Sequence, residues 1–95
     1  MADNRLIFSV HAVKRMFNRR VTSHEVRKVI EEGHTIEEYP NDSPYPSRLI
    51  MGWNGERPLH VVVAENEQED EVIVVTVYEP DLFNWLPGFE RRRES

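Results

Sequence analysis

Apolar positions recur at helical spacing up to residue 30 and alternate after Gly33, so the chain changes period once. Val10, Val13, Met16 and Phe17 form one stripe of a first helix over residues 10–19, with Ser9 placed to cap it. Thr22 to Glu25 has capping-box spacing: the Thr22 hydroxyl can accept from the Glu25 amide while the Glu25 carboxylate reaches back. Val26, Val29 and Ile30 then supply the inward stripe of a second helix, and Gly33 ends it.

The alternating part begins with HTIEEY, a candidate strand, followed by the two-proline loop NDSPYP. RLIMGW sets Leu49, Met51 and Trp53 against Ile50 and Gly52, and it meets RPLHVVVAE across Asn54-Gly55, a strong hairpin signal. The acidic turn ENEQEDE leads into VIVVTVYEP. These two valine-rich runs predict central strands covered on both sides, and RLIF at residues 5–8 reads as a short edge strand. The expected fold class is α+β, with two N-terminal helices packed on one face of a four-stranded, mainly antiparallel sheet.

Strand parity sharpens this. Leu59, Val61 and Val63 share one face of their strand, and Ile73, Val75 and Val77 share one face of the next. Pairing the purely aliphatic sets sends both toward the helices. His60, Thr76 and Tyr78 then fall together on the opposite face, and Glu79 falls on the same side as Arg57, placing an ion pair at the sheet's rim.

Composition bounds the chemistry. The 95 residues amount to a single domain, and the absence of cysteine removes disulfides, thiolate catalysis and Cys-type zinc sites. No apolar run approaches a membrane span and no signal-peptide pattern is present, which gives the expectation of a cytoplasmic protein. The net charge of −5 conceals an asymmetry: +5 over residues 1–30, −12 over residues 31–90 and +2 over residues 91–95. That distribution can steer an anion to the basic side, or it can be ordinary solvated surface. Residues 88–95 are expected to be a mobile basic tail.

On the first helix, His11, Arg15 and Arg19 stack at i, i+4 and i+8. A neutral His11 beside fixed cations can accept a proton, and two arginines can clamp a phosphate and stabilise developing charge. The plainer alternatives are a helix-start histidine bonded to backbone, and arginines paired with Glu79 or Glu25. His60 interrupts an aliphatic strand; Thr76 and Tyr78 can satisfy it structurally, or Tyr78 can donate a proton or stack on a base. The four histidines show no HxxxH or HxH spacing, so neither a metal nor a cofactor is expected.

Three motifs then combine: HAxxRMxxR at residues 11–19, RPLHVVV at 57–63 and TVYEP at 76–80. Together, from Leu6 to Pro80, they resemble a prokaryotic domain of unknown function, the one numbered four-two-five-eight. That family is similar in size and element order to RelE-like toxins, BrnT in particular, which are small ribonucleases. The resemblance implies a RelE-like sheet and a metal-independent endoribonuclease. His11, Arg15, His60 and Tyr78 would be catalytic, with Arg19, Thr76 and Arg57 binding substrate. It further implies RNA, an antitoxin or another protein as partner, on a monomer or homodimer. A non-catalytic module binding an anion or a protein through the same residues is the alternative.

Overall fold

The structure is a computed structural model, and it describes residues 5–94. The element order is β1 (Arg5–Phe8), α1 (Val10–Arg19), α2 (Ser23–Glu32), β2 (His34–Tyr39), β3 (Ser47–Asn54), β4 (Arg57–Asn66) and β5 (Glu71–Tyr78), with a short turn of 3-10 helix at Glu67–Glu69. Both helix starts follow from their caps. The Ser9 hydroxyl accepts from the Ala12 amide at 3.0 Å and donates to the Val75 carbonyl at 3.0 Å, which fixes α1 onto β5. The capping box of α2 is complete: Glu25 N–H donates to Thr22 Oγ1 at 3.1 Å, and Thr22 N–H donates to Glu25 Oε1 at 2.8 Å.

The sheet order is β1-β5-β4-β3-β2, with β1 parallel to β5 and every other pairing antiparallel. The sheet thus has five strands and is mixed, where the hydrophobic pattern gave four. RLIF is indeed an edge strand, but its pairing is made with residues 71–74, far along the chain, and no local signal encodes it. Asn54 pairs with Arg57 across a two-residue turn in which Gly55 takes φ +64°, the region that favours glycine. Gly52 does a different job: a side chain there would collide with Val29, so its absence lets α2 seat directly on β3.

One face of the sheet meets α1 and α2 around a core of Ala12, Met16, Val21, Val26, Val29, Ile50, Leu59, Val61, Val63, Val72, Val74 and Val77. Two expectations need correcting here. The inward side of α1 is Ala12 and Met16, while Val13 and Phe17 are exposed. Small Ala12 lets α1 lie close to β5, and clamps at both ends fix the rotation: Ser9 at the start, and Arg57 bonded to the carbonyls of Arg19 and Arg20 at the end. In β5, Val61 pairs with Val77 and Val62 with Thr76, but Val63 pairs with Val74. Val75 is the extra residue of a bulge, so Val74 and Val72 join the core while Ile73 and Val75 leave it.

The other face carries Leu49, Met51, His60, Val62, Thr76 and Tyr78, since these are cross-strand partners on alternate positions. Residues after β5 fold back over it. Asp81 Oδ1 accepts from the Phe83 and Asn84 amides, and a tight turn closes with Leu86 N–H to Arg91 O at 2.8 Å and Arg93 N–H to Asn84 O at 2.9 Å. Trp85 is only 3% exposed, and Phe89 meets Trp53 edge-on at 6.0 Å. Residues 88–94, expected from sequence to be mobile, make these contacts and an Arg92–Glu37 ion pair; Ser95 lies outside the described residues. Among the described residues no helix is long and apolar enough to cross a membrane.

Candidate functional site

β5 carries the line along which the candidates gather. Thr76 and Tyr78 are two residues apart on one face, opposite Val62 and His60 in β4. α1 reaches this line from the far side, because β1 stops at Phe8 and its pairing with β5 stops at Val74. His11 Nε2 lies 3.1 Å from Thr76 Oγ1, at an exposed position. Arg15 and Arg19 continue along the same flank of α1, exposed, and neither forms an ion pair or side-chain hydrogen bond among the described residues. Pairing of these arginines with Glu79 or Glu25 is therefore absent there: Glu79 holds Arg57 at 3.0 Å, and Glu25 caps α2 and bonds Asn54.

His60 has a different environment. It is 0% exposed, beneath the C-terminal turn. Its Nε2 is 2.8 Å from the Phe89 carbonyl, which can only accept, so this nitrogen carries the proton. Nδ1 is then the acceptor for the Tyr78 hydroxyl at 3.0 Å. The imidazole is edge-on to Trp85 at 4.4 Å and to Tyr78 at 5.1 Å. Burial pushes the His60 pKa below its ordinary value, against the opposing pull of the Phe89 carbonyl, and the ring is neutral. Burial likewise pushes the Tyr78 phenol up.

Beside them, Arg92 grips Glu37 with Nε to Oε2 at 2.7 Å and Nη2 to Oε1 at 3.0 Å, and its guanidinium sits 4.6 Å over the Trp85 ring. These hydrogen bonds hold the Glu37 carboxyl below the usual range, and Glu37 in turn raises Arg92. Tyr39, which donates to Glu37, is pushed up by burial first and by that bond second.

The candidates therefore separate into two groups. His11 and Thr76 meet on an exposed flank shared with Arg15 and Arg19, whereas His60 and Tyr78 meet under cover. Arg57 stands apart: it ties Glu79 to the carbonyls of Arg19 and Arg20 and so caps α1. Glu37, Tyr39, Trp85 and Arg92, which complete the covered group, carried one usable signal in the sequence. Trp85 stands in an apolar-rich run, LFNWLPGF, followed by three arginines.

The exposed flank is a surface, not a pocket. A cavity of about 480 Å³ lies by the β2–β3 loop against Tyr45, Arg48, Glu65 and Asn66. Cavities of about 290 and 190 Å³ flank α2, and none of the three is lined by the sequence candidates. Among the described residues no three His, Asp or Glu side chains converge as ion ligands.

Residues 8–79 match the family described as Domain of unknown function (DUF4258), which covers most of the chain, and the chain belongs to that family. No curated protein and no solved structure matches it significantly.

Proposed function

We propose, for this member of the DUF4258 family, that the exposed flank of α1 is a phosphate-recognition face and that the domain is a RelE-like, metal-independent ribonuclease acting on single-stranded RNA. The observation that carries the reading is the 3.1 Å contact of His11 with Thr76 beside two exposed arginines on the same helix flank that form no ion pair among the described residues. Likeness of element order to RelE-like toxins accompanies this and adds nothing about chemistry by itself.

The chemistry needs few groups. His11 takes the proton of a ribose 2′-hydroxyl, the 2′-oxygen bonds to its own phosphorus, and the bond to the 5′-oxygen breaks. Water returns a proton to that leaving oxygen, giving a 2′,3′-cyclic phosphate and a free 5′-hydroxyl. Arg15 and Arg19 stabilise the dianionic phosphorane, with Thr76 orienting His11. In this scheme His60 and Tyr78 hold the covered face and stand outside the chemistry, because His60 Nε2 is committed to the Phe89 carbonyl and its Nδ1 holds the Tyr78 hydroxyl. Arg57 acts by fixing the end of α1. An antitoxin-like protein partner and a cytoplasmic setting belong to the same proposal.

Two observations favour a second reading, in which the flank binds an anion or a partner's carboxylate without catalysis. His60 is covered, so His11 is the one exposed imidazole among the candidate residues, and the chain is acidic overall. A cleavage assay separates the two. Ribonuclease activity in the presence of EDTA should fall at least about a hundredfold in Arg15→Ala and His11→Ala. Purified protein that binds RNA on this flank yet cleaves none would leave the binding module.

A further inference from the structure

The outward side of α1 carries a feature that the phosphate-recognition reading does not use. Val10, Val13 and Phe17 are 72%, 51% and 85% exposed. Their i, i+3, i+7 spacing draws an apolar stripe about 10 Å long, two helical turns. The stripe is not a frayed end: Ser9 ties the start of α1 to Val75, and Arg57 ties its end through the carbonyls of Arg19 and Arg20. The inward side is already filled by Ala12 and Met16, so the stripe cannot turn into the core. An aromatic ring and two valines held in water at helical spacing are the pattern of a docking face.

The charges around the stripe select the occupant. α1 and its cap contain Lys14, Arg15, Arg19 and Arg20 and no acidic residue, within a chain of net charge −5. Lys14 lies on the helix wheel between Val10 and Asn18, next to the stripe, and Arg20 adds a cation at the helix's C-terminal cap, just beyond the end of the stripe. A second copy laid α1 against α1 would set these cations against each other. RNA would find one ring for a base and two aliphatic side chains of no use to it. An amphipathic helix with an apolar stripe of its own and carboxylates on its flanks matches both the apolar line and the basic rim.

We infer that the Val10, Val13 and Phe17 face of α1 docks an acidic amphipathic helix of a partner protein. Docked there, the partner is separated by Lys14 and Asn18 from the flank that carries His11 and Arg15, and it uses different side chains.

The test selects a displayed library of random peptides of about 16 residues, long enough to form a helix on binding, against the full chain. Binders to Phe17→Ser are removed; Phe17 is so exposed that this variant keeps the fold, which its amide spectrum verifies. Enriched peptides should carry apolar residues at i, i+3 or i+4, and i+7 between acidic positions. The tightest should shift amide resonances of residues 10–20 and bind Phe17→Ser about tenfold or more weakly. Lys14→Glu with Arg20→Glu should reverse the preference toward basic amphipathic peptides. Several results overturn the inference. Enriched peptides without helical periodicity or without acids would do so. So would self-association abolished by Phe17→Ser, which assigns the face to a second copy. Poly-uridine shifting Val10, Val13 and Phe17 assigns it to RNA, and no enrichment leaves the stripe without a partner.

Discussion

Trp85→Ala tests whether the C-terminal turn is a structural cover for His60. Trp85 is 3% exposed and edge-on to His60 at 4.4 Å, with Arg92 over its ring. A buried tryptophan removes roughly 200 Å² from water, about 5 kcal/mol at 25 cal/mol per Å². A compact denatured state reduces that by roughly 10–40%, and the aromatic contact restores about 1 kcal/mol. The expected cost is therefore about 4–5 kcal/mol, within the usual range for removing a core tryptophan. A ceiling applies, however. If the loss exceeds what holds residues 81–94 down, the segment lifts instead, and its regained chain entropy caps the cost. Either way His60 loses its shield. Urea melts should show the stability loss, and thermal melts a drop of about 12 °C or more. The His60 Nε2 proton should exchange faster with solvent. A melting temperature within a degree or two of the parent, about the scale of surface changes, would refute the reasoning, as would an equally protected His60 proton.

Two further outcomes follow from face and burial. Val61→Asp places a charge among Val77, Leu59 and the helices and should cost about 4 kcal/mol or more, whereas Val62→Asp, half-buried on the opposite face, should cost clearly less; equal losses in denaturant melts would contradict the register. Stability should also decline on acidification below pH 6.5, the ordinary histidine value. The folded His60 is depressed, so the unfolded chain binds a proton first and unfolding is favoured as pH falls toward the folded value. Glu37, held below its ordinary 4.5, adds a loss only in more acid solution. Equal unfolding free energies at about pH 7.5 and about 5.5 would show that His60 is not held neutral.

Where the determinants are local, the sequence was readable. The Thr22–Glu25 capping box, the Ser9 cap and the turn at Gly55 each depend on a few neighbouring residues, and each forms. Strand parity likewise placed His60, Thr76 and Tyr78 on one face, and Arg57 beside Glu79. What escaped depends on distant partners. The rotation of α1 is set by Val75 and Arg57, so Ala12 turns inward and Phe17 outward, against the larger apolar stripe. The bulge at Val75 interrupts an unbroken alternation and leaves no mark in composition. The cover over His60 rests on Trp85, Phe89 and Arg92 in an apolar-rich run, LFNWLPGFERRR, that has neither helical nor strand periodicity, so the histidine read as a candidate for exposure is sealed.

Recognition of phosphate by the His11, Arg15 and Arg19 flank is read out by titrating the full chain with single-stranded RNA and following amide and imidazole resonances. Saturable shifts should centre on His11, Arg15, Arg19 and Thr76, weaken as salt is raised because the contacts are to backbone charge, and vanish in Arg15→Ala. His60 should stay unmoved under Phe89. Shifts centred on the cavity around Tyr45 and Arg48, or an unperturbed α1 at saturating RNA, would contradict the claim.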